Sequence, residues 1–109
     1  MYANYFIQKL LHNVSSEQRL KILKALSDNF ADVACHPVGT HPMQRLVEMV
    51  NMEEERDEIF KAIKDSIVHM AFHEKGNYVL ILTLNSMKAE RFNYIIEKLM
   101  PHFYKLSLD

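Results

Sequence analysis

The sequence predicts an all-α fold, a solenoid stacked from three-helix units, and three observations carry that expectation. A five-residue stretch, Asn4-Tyr5-Phe6-Ile7-Gln8, recurs as Thr40-His41-Pro42-Met43-Gln44 and again as Asn77-Tyr78-Val79-Leu80-Ile81, at spacings of 36 and 37 residues. A near-constant period of that size is the sequence sign of a stacked repeat. The only two glycines, Gly39 and Gly76, each stand immediately before a copy, with Ala3 in that place before the first. Apolar positions fall into columns in the same register: Ile7, Met43 and Leu80; Leu11, Val47 and Leu84; Val14, Val50 and Met87; Leu23, Ile59 and Ile96; Leu26, Ala62 and Leu99.

Each element follows from local chemistry. Residues 2–13 are the first predicted helix, because Phe6, Ile7, Leu10, Leu11 and Val14 keep the i, i+3, i+4 spacing of one buried face. Ser15 supplies the next N-cap, with Gln18 as its capping-box partner. The helix it opens reaches about residue 29 and is expected to bury Leu20, Leu23 and Leu26. A short helical turn over residues 30–35 must end before Pro37, since the residue ahead of a proline resists the α conformation.

The same grammar then repeats. Thr40 is placed as the cap of a helix to about residue 50, with Pro42 in the first turn, where a missing N–H costs little. Asn51 and Glu54 form the next expected cap pair, 36 places after Ser15. The run Glu53, Glu54, Glu55 suits the positive end of that helix as a solvated first turn. The helix ends near residue 65 and a short one follows over residues 67–72. In the third unit Gly76 opens a helix to about residue 84, Asn85 and Ser86 connect, and Lys88 holds the cap place as a weaker cap. The last long helix is expected to bury Phe92, Ile95, Ile96 and Leu99 and to end or kink at Pro101. Residues 103–108 read as the start of another short turn, and Met49, Met70 and Met100 are assigned to the core.

Length and composition bound what such a chain does. At 109 residues and 49% hydrophobic it is one domain with a modest core, and two glycines and three prolines are too few for the tight turns of an all-β chain. A net charge of −1 supplies no bulk positive field for nucleic acid, which leaves only a local basic strip. A lone Cys35 cannot pair within the chain, and no signal peptide or run of 18 apolar residues is present, so a reducing intracellular compartment is expected. The approximate units are 1–29, 30–65 and 66–103, with the start of a further unit at 104–109. Solenoids normally close with polar capping repeats. Neither end has one, so the expectation is a stretch of a longer array, met by further repeats or protein partners, or a small one that self-associates through apolar surface beside Phe6 and Phe103.

The motif residues, from Ala3-Asn4-Tyr5-Phe6-Ile7-Gln8-Lys9-Leu10-Leu11 through Gly39-Thr40-His41-Pro42-Met43-Gln44-Arg45-Leu46-Val47-Glu48 to Gly76-Asn77-Tyr78-Val79-Leu80, resemble the PUF (Pumilio/FBF) family of RNA-binding repeats over essentially the whole chain. The resemblance implies a right-handed α-solenoid of three-helix Pumilio-type repeats whose motif helices line a concave face, with about one RNA base read per repeat. It implies that motif positions one and five bond a base edge: Asn4 with Gln8, Thr40 with Gln44, and Asn77 with Ile81. Position two stacks on bases, which assigns Tyr5, His41 and Tyr78. The spacing suits this, because residues i and i+4 sit one above the other on a helix face while i+1 points to one side. The family's code pairs Asn plus Gln with uracil and a small residue plus Gln with adenine, and RNA runs antiparallel to the repeats. The implied partner is single-stranded RNA of order 5′-N-A-U-3′. Three positions depart from the pattern: Ile81 can neither donate nor accept, so no base is assigned there, His41 stands where arginine or tyrosine is usual, and Pro42 is expected to shift the first turn and move Thr40 away from the base. Lys9, Arg45 and Lys75 flank the motifs and would meet phosphate.

Plainer readings stand beside these. Thr40 can be a plain N-cap, Ile81 a packing residue and Tyr78 a half-buried structural tyrosine. His36 and His73 are assigned to the turns that join the helices. Cys35, His36 and His41 match no structural zinc spacing, so no metal or other cofactor is expected, and no nucleophile–base pair or phosphate-cradling glycine loop points to an enzyme. The implied function is sequence-specific single-stranded RNA binding, as in recognition of an mRNA 3′ untranslated region by a cytoplasmic post-transcriptional regulator. The alternatives are a protein-interaction scaffold of HEAT, armadillo or degenerate PUF-like type, or a nucleolar PUF-like ribosome-assembly protein. No membrane partner is implied.

Overall fold

Ser15 opens the first complete helix by the reciprocal bonding its sequence calls for. In a computed structural model that describes residues 9–103, the Gln18 N–H donates to the Ser15 hydroxyl at 3.2 Å and the Ser15 N–H donates to the Gln18 side chain at 2.8 Å. Two orphan donors are thereby satisfied at once. Residues 9–12 are helical as well, and the rest of the first predicted helix lies outside the described residues.

The chain continues as α1 (Ser16–Leu26), a 3-10 turn (Ser27–Asn29), α2 (Phe30–Ala34), α3 (Thr40–Met49), α4 (Glu53–Ile63), α5 (Ile67–Phe72), α6 (Gly76–Asn85), α7 (Ala89–Leu99) and a 3-10 turn at Met100–His102, with Pro101 inside that turn. No strand occurs among the described residues. The stacking is lateral. α1 packs on α4, and α3 packs on α6. The short helices stand between these two layers, α2 touching α3, α4 and α6, and α5 touching α6 and α7. The motif helices α3 and α6 therefore lie side by side in one layer, and the long helices α1, α4 and α7 make the other.

The apolar columns become a continuous core. Leu11 and Val47 are buried, as are Met43 and Leu80, and Leu23 and Ile59. Phe30, Ile63, Ile67, Met70 and Ile95 fill the space between layers. The last column members behave differently. Ile96 is 38% exposed and Phe92 40% exposed, so α7 buries only Ile95 fully, because no further described helix lies over that face. Leu20, Leu26, Met49 and Leu99 are half-buried, while Met100 and Phe103 are exposed.

Three expected end contacts are replaced. Thr40 is the first residue inside α3 and Gly39 holds the cap place, without any side-chain cap bond. Asn51 and Glu54 do not form the cap pair: Met52 stands at the N-cap of α4, and the Asn51 N–H donates instead to Glu55 Oε2 at 3.0 Å. Glu55 is not a solvated first-turn acid but fully buried, because it faces Arg19 of the preceding unit at 3.2 Å. Asn51 Oδ1 accepts from the same guanidinium at 3.0 Å, and the Val14 carbonyl accepts from it at 3.3 Å. A charge leaves water at tolerable cost only with such partners.

The two glycines owe their places to space rather than to backbone angle, since neither has a positive φ. A Cβ on Gly39 would lie 2.9 Å from the Val33 carbonyl oxygen, and one on Gly76 would lie 2.5 Å from Cys35 Sγ and 3.3 Å from the Met70 backbone. Each glycine lets the start of a motif helix close on the short helix before it, and Gly76 also brings α6 against the Cys35 end of α2.

Candidate nucleic-acid interface

Histidine builds the entrance to both described motif helices. His36 Nδ1 accepts the N–H groups of Val38 at 3.0 Å and Gly39 at 3.1 Å. His73 Nδ1 accepts those of Lys75 at 3.0 Å and Gly76 at 3.2 Å. These are the turn-stabilising roles expected of the two residues, and they supply acceptors to helix starts that have no side-chain cap of the usual kind. The Thr40 N–H then donates to the His36 carbonyl at 3.0 Å, and the Asn77 N–H to the His73 carbonyl at 3.1 Å.

The second motif sits on the first two turns of α3. Pro42 falls inside the first turn without breaking the helix, and the Met43 N–H reaches the Gly39 carbonyl at 3.2 Å. His41 is exposed and Gln44 half-buried. Thr40 is 0% exposed, and its hydroxyl accepts from Gln44 Nε2 at 3.2 Å. Positions one and five are thus joined to each other, with Gln44 the member that reaches the surface. Arg45 is exposed and faces Glu48 at 3.6 Å, a surface pair that leaves the guanidinium available to solvent and counter-charge.

The third motif sits likewise on α6. Tyr78 is 57% exposed and Ile81 49% exposed, on either side of the buried Val79 and Leu80. The half-buried structural role for Tyr78 does not hold, and Ile81 is not packed away either. The Asn77 amide donates to the His73 carbonyl at 2.7 Å and to the Glu74 carbonyl at 3.1 Å. Carbonyls only accept, so this fixes which end of the amide is nitrogen and leaves Oδ1 as the group for an incoming partner. Asn77 and Ile81 border an open apolar depression with Phe72 and Leu84.

Because α3 and α6 lie side by side, the exposed rings of His41 and Tyr78 stand at equivalent places on one layer. Adjacent packed helices are about 8–10 Å apart. A strand crossing them must be extended, with its bases separated enough for a ring to enter between. The first motif, Asn4, Tyr5 and Gln8, lies outside the described residues. Of the flanking cations, Lys9 is exposed, with its carbonyl accepting from the Asn13 amide at 3.0 Å, and Lys75 is half-buried at the entrance to α6. Burial, with Asp32 adding to it, pushes the Cys35 thiol above its ordinary range against a hydrogen bond from the Gly76 backbone. Among the described residues no three His, Cys, Asp or Glu side chains gather as metal ligands, and no helix is long and apolar enough to cross a membrane.

Sequence reasoning did not foresee that Thr40 is enclosed or that the carbonyls of the two turn histidines also take the N–H of each motif's first residue. The signal for the latter was present: each histidine stands four residues ahead of its motif's first position, His36 before Thr40 and His73 before Asn77.

Comparison with known proteins agrees with this geometry. The family model described as Pumilio-family RNA binding repeat matches residues 1–27 and 29–64. Pumilio homolog 12 of Arabidopsis thaliana is 29% identical over 99% of this chain, which spans 19% of that protein's length. Among solved structures, the Puf4 RNA binding domain bound to HO endonuclease RNA 3′ UTR recognition sequence is 32% identical with a TM-score of 0.80, over 88% of this chain and 30% of that one. The RNA-binding domain of yeast Puf5p bound to SMX2 RNA shares the fold at a TM-score of 0.78 and 22% identity, over 88% of this chain and 28% of that one.

Proposed function

The chain belongs to the Pumilio family of RNA-binding repeat proteins, an all-α, right-handed solenoid of three-helix repeats, and from that premise we propose that its motif-helix layer binds single-stranded RNA in a sequence-specific way. One observation carries the reading: position-two rings, His41 and Tyr78, stand exposed on neighbouring motif helices, each one residue along from a polar position-one side chain. A base edge offered to Gln44 or to Asn77 Oδ1 would lie beside a ring able to stack on it. The similar Puf4 structure, bound to a 3′ UTR recognition sequence, supports the same class of ligand here. We extend the assignment to Asn4, Gln8 and Tyr5 on sequence alone, which makes the proposed order 5′-N-A-U-3′, with adenine opposite Gln44 and uracil opposite Asn4 and Gln8. Arg45, Lys9 and Lys75 would supply local phosphate contacts that a net charge of −1 does not. The wider role that follows is recognition of an mRNA 3′ untranslated region.

The test separates stacking from edge reading. Tyr78→Ala should weaken binding to every oligonucleotide by about 1–3 kcal/mol, since stacking tolerates any base. Gln44→Glu should instead change which base is preferred opposite the second motif, because a carboxylate only accepts where the amide could also donate. Binding constants for short RNAs varied only at that base decide it. Equal affinities for all four bases in the wild-type chain, together with no effect of either substitution, would remove RNA reading from this layer.

A further inference from the structure

We infer that His36 and His73 are positioning residues for base reading, each setting the motif helix that follows it through a paired acceptor. The inference rests on the RNA reading above and goes beyond it by naming residues that would touch no RNA.

The geometry is the same at both unit junctions. Each Nδ1 takes two successive backbone N–H groups, from the second and third residues after the histidine, at 3.0 and 3.1 Å for His36 and at 3.0 and 3.2 Å for His73. Each histidine carbonyl takes the N–H of the motif's first residue, at 3.0 Å for Thr40 and 3.1 Å for Asn77. At the third motif the same carbonyl also takes the Asn77 side-chain amide, at 2.7 Å, so a single residue fixes both the start of α6 and the orientation of its position-one reader. At the second motif, Thr40 held in this way keeps its hydroxyl 3.2 Å from Gln44 Nε2, which links His36 to the only position-five reader with hydrogen-bonding capacity among the described residues.

A turn stabiliser alone would need one such bond at any convenient carbonyl or side chain. Here the ring acceptor closes the turn while the carbonyl of the same residue anchors position one. A ring nitrogen that accepts N–H groups carries no proton, which puts the proton of the neutral ring on Nε2, so the ring is used in one tautomer at both junctions. The next residue along, His41 or Tyr78, is the proposed stacking ring. A shift of the helix start therefore moves edge reader and stacker together, and reading geometry is sensitive to displacements of that kind.

The experiment compares two replacements at each histidine in the whole chain. His36→Phe keeps a ring and removes the acceptor, whereas His36→Asn keeps a short side-chain acceptor that closes such turns on its own. Short single-stranded RNAs differing only opposite the second motif are titrated, with helicity checked by circular dichroism. Expected is a roughly tenfold loss of adenine preference in His36→Phe, the size of one hydrogen bond to a base, with the preference retained in His36→Asn. His73→Phe should leave that adenine preference intact and lower overall affinity through Tyr78. A selective wild type with an equally selective, folded His36→Phe overturns the inference alone. If His36→Phe does not fold, His36→Asn decides: folded with wild-type preference supports the inference, and folded without it overturns it. A wild type without base preference overturns the RNA reading and this inference with it.

Discussion

The first seam of the long-helix layer, α1 on α4, and the second, α4 on α7, join equivalent helices through different positions and opposite chemistry. At the first seam Arg19 and Glu55 meet at 3.2 Å with side chains only 7% and 1% exposed; Asn51 and the Val14 carbonyl accept from the guanidinium, while Arg19 Nε and Glu55 Oε1 are buried without a hydrogen bond. At the second seam the polar contacts sit in solvent. Lys88 faces Glu53 at 3.6 Å, Arg91 pairs with Asp57, and both partners of each pair are substantially exposed. What closes the second seam is aromatic: Phe60 and Tyr94 meet edge to face at 5.3 Å, and Arg91 lies over the Phe60 ring at 5.1 Å. The repeat-equivalent position runs Arg19, Glu55, Phe92, so the ladder of paired charges stops at the third unit, where Phe92 is 40% exposed. The lesson is that a solenoid with a constant period does not need a constant seam. Periodicity sets where helices meet, and each junction is closed by whichever chemistry its two residues allow.

The largest expected effect breaks the first seam. Glu55→Ala leaves the Arg19 guanidinium buried without its counter-charge and should cost roughly 3–5 kcal/mol in urea unfolding. Replacing both residues together by Met and Leu should recover most of that loss, since a packed apolar pair removes the unpaired charge. Next comes the close approach at the second motif junction. Gly76→Ala places a Cβ at 2.5 Å from Cys35 Sγ and should cost about 1–3 kcal/mol as overpacking. Cys35→Ala in the same chain should restore part of it, and a double-mutant cycle with no coupling would show that the two residues do not share that space.

At the second seam the changes are smaller. Tyr94→Leu keeps apolar volume but removes the edge-to-face geometry with Phe60, for an expected cost near 0.5–1.5 kcal/mol by thermal unfolding. Arg91→Ala should cost less than about 1 kcal/mol, with the difference shrinking as salt is added, because the Asp57 pair is partly exposed. If Arg91→Ala proved as costly as Glu55→Ala, the distinction between a buried and a solvated seam would collapse.

Much of this molecule could be read from its residues in order. The capping box at Ser15 and Gln18, the short helices, the break at Gly39 and Gly76 and the placement of Thr40, His41, Asn77 and Tyr78 at helix starts are all local, settled within a turn or two of chain. The period of 36 and 37 residues put those local pieces in register and made the stacked fold legible. What the tertiary structure decided are the contacts between units. Glu55 reads as a surface acid until Arg19, 36 residues earlier, is laid against it. Gly76 reads only as the opening of a helix until Cys35 of the preceding unit arrives beside it. Ile96 reads as core by its column and is left partly in solvent because burial belongs to the neighbour, not to the residue. Thr40 reads as a cap or base-edge hydroxyl and is fully buried in the folded chain. A helix forms from the chain it contains, whereas the environment of each side chain depends on the helices that pack over it, both the next along the chain and the equivalent one in the neighbouring unit.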